Sequence, residues 1–428
     1  METILIALPI ILIAAKLGAE WFERMKQPAV LGELACGVLL GSLSLVGLHT
    51  LDYLKTDAII NVLAQLGVIF LLFEVGLESN VKDMLEVGVS SFLVALFGVI
   101  APMVLGWGVG AWFLPEAPAV VHLFLGATLS ATSVGITARV LRDLGNTQTK
   151  EARIILGAAV IDDVMGLVIL AAVIGMIKAA DRGIAGASVA QIAWIGIKAV
   201  LFLGLALWAG NRLSPWMFRL AARLRVRGML LATSVSFCFL LAYMAHRIEL
   251  APIVGAFAAG LILDPLHYQE FRQRGEQGIE ELLQPLTSFL VPIFFVLMGI
   301  RVDLRTFARL DILGLAIALT MAAIIGKQVC AFGVVERGLD RLSIGVGMIP
   351  RGEVGLIFAS MGSMMLLKGM PVISSAAYSA IVIMVISSTL VTPPILKLTL
   401  MRGERQALQR KAKVSASSPK GTSPASGR

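Results

Sequence analysis

Charge is scarce in this chain of 428 residues: only 15% are Asp, Glu, Lys or Arg, well below the roughly 25% of an ordinary soluble domain. Aromatic residues are few, at 7%, and the three cysteines, Cys36, Cys238 and Cys330, stand singly in apolar stretches without CxxC spacing. These shortages exclude a disulfide framework and a cysteine or histidine metal site. The N-terminus lacks the basic n-region and small-residue cleavage site of a removed signal peptide, so its first apolar run is expected to be a retained helix. What is plentiful is apolar: 57% of the chain, with 42 glycines besides. At a mean hydropathy of +0.87 soluble, disordered and nucleic-acid-binding readings are poor, and the bilayer is the expected solvent.

The net charge of +8 is concentrated at one end. From Lys397 onward seven of those charges accumulate, with Glu404 the lone acid. Such a segment reads as a cytoplasmic flank drawn to anionic lipid, with no nucleic-acid partner.

Thirteen apolar runs are long enough to cross a hydrocarbon core about 30 Å thick. The ninth, Ala251 to Leu263, and the tenth, Leu286 to Ile300, are the short ones. Loops after odd-numbered spans hold sixteen Lys and Arg against eight after even-numbered spans. The positive-inside rule then places the N-terminus outside and the C-terminus in the cytoplasm.

An internal repeat emerges from the order of small motifs. Gly32-Glu33-Leu34-Ala35-Cys36-Gly37 returns in form as Gly255-Ala256-Phe257-Ala258-Ala259-Gly260, and Val68 to Gly76 returns as Val291 to Gly299, both 223 residues on. Val134-Gly135-Ile136 returns as Val354-Gly355-Leu356 at an offset of 220. Corresponding spans are seven apart, an odd number, so the two copies face opposite ways. The expected fold is an all-α polytopic membrane protein of about 13 transmembrane helices in two inverted repeats with crossed broken helices, the plan of secondary transporters. Residues 1–400 form the transmembrane unit: repeat one over about 1–180, a linking helix over about 187–211 and repeat two over about 228–400. Residues 401–428 are expected to be a basic, disordered tail.

In inverted repeats the chemistry belongs where corresponding helices break. The fifth span, Val121 to Leu141, contains Ser130-Ala131-Thr132-Ser133-Val134-Gly135, and the twelfth, Ser343 to Leu366, contains Pro350-Arg351-Gly352-Glu353. Unwinding there frees carbonyl and hydroxyl oxygens to replace a cation's water shell. Close helix packing explains the glycines but not Arg351 and Glu353 in mid-span. The sixth span, Ala152 to Ile177, carries Asp162 and Asp163 near its centre. An ionised carboxylate there costs at least about 2.5 kcal/mol on insertion scales, so it marks an ion or proton path. Desolvation favours protonation, which lets a proton compete with a metal ion. Lys327, deep in the eleventh span, Ile312 to Val335, needs a counter-ion, and either aspartate is an obvious one. Glu33 and Glu74 are weaker candidates, within about a turn of their span ends, where interfacial water explains them equally well. The four histidines, His49, His122, His246 and His267, sit near span ends or in loops, where an interfacial role explains them.

These residues together resemble the monovalent cation:proton antiporters of the sodium/proton exchanger superfamily. The likeness covers about Met1 to Leu400 and rests on PAVLGELACGVLLG (Pro28 to Gly41), FEVGLE (Phe73 to Glu78), ATSVGIT (Ala131 to Thr137), the Asp162-Asp163 pair, Lys327 and PRGEVG (Pro350 to Gly355). An Asp-Asp pair with that lysine is similar to the electrogenic branch and is related to the membrane domain of potassium-efflux antiporters. The resemblance implies that Asp163 binds either the cation or protons and that Asp162 forms a salt bridge with Lys327. It also implies that Thr132 and Ser133 flank the site, and that Arg351 and Glu353 form a charged pair at the second crossover. It implies a homodimer in a bacterial inner membrane, no enzymatic activity and no cofactor. The cytosolic nucleotide-binding domain of the potassium-efflux relatives is not expected here, where a short tail follows the last span. Sodium is the expected cation; a potassium/proton antiporter and, less well, a cation channel share the same features. An intramembrane aspartyl protease is set aside, since its two carboxylates sit on separate helices and no GxGD motif occurs.

Overall fold

In hydrocarbon the backbone has no water to bond, so apolar runs fold as helices. The structure, a computed structural model, describes residues 2–25, 27–43, 52–78, 88–133, 137, 138, 140, 141, 146, 149–181, 189–224, 226, 228–248, 250–263, 268, 269, 271, 277–302, 304, 310–336 and 338–417. Among them are fourteen α-helices. In chain order they are α1 Glu2–Arg24, α2 Ala29–Ser42, α3 Ala58–Glu78, α4 Val89–Phe113, α5 Ala119–Ser130, α6 Lys150–Asp181 and α7 Val189–Ala222. The second half holds α8 Met229–Arg247, α9 Pro252–Ile262, α10 Ile279–Ile300, α11 Leu310–Gln328, α12 Arg341–Gly347, α13 Glu353–Met364 and α14 Ser375–Ser417. Eight of the described helices are long and apolar enough to cross a membrane, and α2, α5, α9 and α13 are shorter apolar ones.

The pairing of helices displays the inverted repeat. α2 packs on α10 and α9 packs on α3, while α3 and α10 also meet each other. Each crossing is closed by glycine. A Cβ on Gly37 would collide with the Val296 carbonyl beside Gly299; a Cβ on Gly260, 223 residues later, would collide with the Phe73 carbonyl beside Gly76. Gly67 meets Leu290, its own counterpart at the same offset. The two-fold relation therefore runs between α3 and α10. These contacts assemble α1–α3 and α8–α10 into one packing group. A second group joins α4, α5 and α6 to α11 and α14, with α12 and α13 against it, and α7 touches both α6 and α9.

The two breaks expected are present: the twelfth span divides into α12 and α13, and the fifth stops at Ser130 in extended backbone. Other helices depart from the apolar runs that anticipated them. α10 starts at Ile279, earlier than Leu286, because its first turns carry Glu280 and Glu281 and are invisible to hydropathy. The linking helix runs to Ala222, past the expected end near 211. α14 continues to Ser417, so residues 401–417, expected to be disordered, are helical; Arg, Glu, Gln, Ala, Leu and Lys there are good helix formers. Residues 418–428 lie outside the described residues. Between α13 and α14 a two-stranded hairpin, β1 Leu366–Leu367 and β2 Met370–Pro371, turns through Lys368 and Gly369, both at positive φ. It is tied to the end of α6 by the Lys368 N–H, which donates to the Asp181 carboxylate at 2.7 Å.

Candidate ion-binding site

α6 carries Asp162 and Asp163 near its middle, and neighbours on a helix point about 100° apart. Asp162 turns to α11, where the Lys327 ammonium donates to its Oδ1 at 2.9 Å with both side chains fully buried. Asp163 is 9% exposed against 0% for Asp162, so of the two carboxylates it is the less completely buried. α11 ends as an α-helix one residue past Lys327 and continues as a 3₁₀ helix, Val329–Gly333. Such tightening is common in the last turns of a helix. Gly98 on α4 leaves the room this needs: a Cβ there would meet the Cys330 sulfur at 2.8 Å and the Lys327 nitrogen at 3.3 Å.

Beside this pair the two interrupted helices cross. The N–H of Ser133, just past the end of α5, donates to the carbonyl of Pro350 at 2.8 Å. The Thr137 hydroxyl donates to the Gly347 carbonyl at 2.6 Å, tying the same two breaks again. Arg351, fully buried, donates to the carbonyls of Ser130 and Ala131 at the open end of α5 and to that of Ala323 on α11. A guanidinium at a helix C-terminus answers both the dipole and the orphan carbonyls. Arg351 is also near enough to Asp162 to interact with its charge.

Four buried polar atoms in this region have no hydrogen-bond partner among the described residues: Asp162 Oδ2, Thr132 Oγ1, Gln328 Nε2 and Arg351 Nε. Unpaired buried polar atoms are costly, so such a cluster calls for water or an ion. Carboxylate, hydroxyl and carbonyl oxygens are the donor set of a hard cation.

The other sequence candidates fall elsewhere. Glu353 opens α13, but its side chain lies outside the described ones, as do residues 134–136. Arg351 donates to carbonyls through its terminal nitrogens, and the charged pair anticipated with Glu353 falls on a side chain outside the described ones. Glu33, near the start of α2, is only 7% exposed, because Gly18 and Gly32 bring α1 hard against α2. Glu74 is half-buried and bonds Thr287 on α10, with Glu78 and Glu280 nearby. Sequence reasoning missed Gln328, and Thr389, whose hydroxyl donates to the Arg351 carbonyl. The run of buried Ser388, Thr389 and Thr392 in an otherwise apolar helix was the available signal.

Comparison with known proteins gives the chain its family. Residues 10–402 match the model of the transmembrane sodium/hydrogen exchanger family. The chain is 37% identical to the high-affinity Na(+)/H(+) antiporter NhaS3 of Synechocystis, over 92% of this chain and 89% of that one. It is 33% identical to the Na(+)/H(+)-K(+) antiporter GerN of Bacillus cereus, over 91% and 94%. The sodium proton antiporter MjNhaP1 of Methanocaldococcus jannaschii, at 16% identity, shares the fold with a TM-score of 0.65 over 93% of this chain and 96% of that one. With its fold, its crossed breaks and these relatives, the chain belongs to the sodium/hydrogen exchanger family.

Proposed function

We propose that the chain exchanges sodium for protons across the membrane by alternating access, with Asp163 as the group that takes either ion. The observation that carries this is the fully buried Lys327 and Asp162 pair, 2.9 Å apart, next to a second buried carboxylate, Asp163. Asp162 is paired with Lys327, and Asp163 beside it is the carboxylate offered to the cation or the proton as the site crosses hydrocarbon. Protonation of Asp163 from one side expels the cation. The unpaired Asp162 Oδ2 and Thr132 Oγ1 are further oxygens available to a cation as substrate, and Ser133 flanks them. Arg351 fixes the end of α5 so that these oxygens keep their positions.

Two carboxylates and an ammonium offer more protonation sites than one cation needs, which supports electrogenic exchange. The motion is that of the group holding α4–α6 and α11–α14 against the group holding α1–α3 and α8–α10. The chain works as a homodimer in the bacterial inner membrane, N-terminus outside and C-terminus in the cytoplasm; the excess of Lys and Arg in alternate loops supports that orientation.

The test is proton flux in liposomes of purified protein with an internal pH dye, adding sodium, potassium and lithium in turn. A sodium-driven pH change lost in Asp163→Asn is expected. A response to potassium alone would replace sodium by potassium as the substrate, a reading favoured by the likeness to GerN. Full exchange by Asp163→Asn would sink the assignment of that residue.

A further inference from the structure

Away from the crossover, an apolar groove of about 840 Å³ runs between α7 and α8. Leu205, Ala209 and Leu213 of α7 and Leu240 of α8 line it, and Lys198 of α7 and Arg247 of α8 stand at one end. α7 and α8 are consecutive and antiparallel, so the start of one and the end of the other share a membrane side, the outer one by the loop charges. The three leucines are about half exposed, as lipid-facing residues are. Lys198 and Arg247 have no ion pair or hydrogen bond to other described residues.

We propose that this groove binds one anionic phospholipid, its acyl chain along the leucines and its phosphate between Lys198 and Arg247. Arg247 also answers the dipole of its own helix, and Lys198 can reach the interface unaided. Neither fact explains an open apolar groove beneath both cations. From Lys198 to Leu213 α7 rises about 22 Å, more than half of a hydrocarbon core about 30 Å thick, so the groove is deep enough for a chain of the outer leaflet. Two cations at the headgroup end and none along the groove match an anionic head on an apolar tail. The inference rests on the membrane setting alone and is independent of which ions are exchanged.

The experiment titrates delipidated protein in detergent with phosphatidylglycerol and, separately, with phosphatidylcholine of the same chains, counting bound lipid by native mass spectrometry. Wild type is expected to hold one phosphatidylglycerol in preference to phosphatidylcholine. Each cation lost should weaken that binding about fivefold, so Lys198→Gln with Arg247→Gln should weaken it about thirtyfold and leave phosphatidylcholine unchanged. Ala209→Phe, which keeps both cations and fills the groove, should lose the bound lipid. Equal affinity for the two lipids, or no change in the double variant, overturns the proposal. So does competition by glycerol phosphate alone, which would mean an anion site without a chain, and so do cross-links between protomers from Leu205→Cys and Leu240→Cys with no lipid bound, which would mean that a second copy fills the groove.

Discussion

Lys327 and Asp162 are fully buried, so each serves as counter-charge to the other. Removing one partner leaves a buried charge without its hydrogen-bonded counter-ion: Lys327→Ala is expected to lower unfolding stability by about 3–5 kcal/mol. Replacing both, as Asp162→Asn with Lys327→Met, should recover most of that loss while abolishing exchange. Thermal unfolding in detergent measures both, and equal stability of Lys327→Ala and wild type would contradict the pairing. Arg351 makes a different demand, since it serves three carbonyls from one planar fork. Arg351→Lys keeps the charge but not that fork, so it should lose at least one of these bonds, at roughly 1.5–3 kcal/mol for each charge-assisted bond lost. If Lys matched Arg in the same unfolding assay, the helix-end role would fail. The need of Lys327 for an acid was legible because a lysine inside an apolar run stands out. The partners of Arg351 were not, because carbonyls become acceptors only once the helices break and cross, and no residue letter records that.

At the scale of helices, close approach is set by glycine, and the inverted repeat predicts effects in matched pairs. Gly37→Ala and Gly260→Ala occupy corresponding crossings, α2 on α10 and α9 on α3, and each adds a methyl against a backbone carbonyl. Both are expected to destabilise by similar amounts, of order 1–3 kcal/mol as for other overpacked cores. Gly204→Ala in α7 meets nothing within 4 Å and should be neutral or stabilising by up to about 1 kcal/mol. Melting temperatures of the three variants decide this; a tolerated Gly37→Ala beside a damaging Gly204→Ala would refute the packing account. The spans and their inversion were legible from hydropathy and from motifs 223 residues apart, because burial in hydrocarbon and glycine crossings leave marks in the sequence. The polar first turns of α10, the helical continuation of α14 and the change to 3₁₀ geometry after Lys327 were not, since each depends on neighbours or on local propensity outside an apolar run.

For the molecule as a whole, alternating access requires the two packing groups to slide. One contact between them is the Tyr378 hydroxyl of α14, which donates to the Met298 carbonyl of α10 at 3.0 Å near the end of that helix. On the same side a cavity of about 240 Å³ lies between α3, α9 and α10 of one group and α13 of the other, lined by Gln65, Met298 and Ser360 among others. Tyr378→Phe removes the bond, so Ser360→Cys, in a background whose three native cysteines are replaced, should react faster with an impermeant thiol reagent. An unchanged rate would show that this contact does not hold the cavity closed. Beneath all of this lies the claim that sodium and protons take turns at Asp163. The measurement that tests it most directly is the pH of weakly buffered purified protein as sodium is added. Sodium should displace protons and acidify the solution with wild type but not with Asp163→Asn; sodium binding without proton release by wild type would contradict competition at that residue.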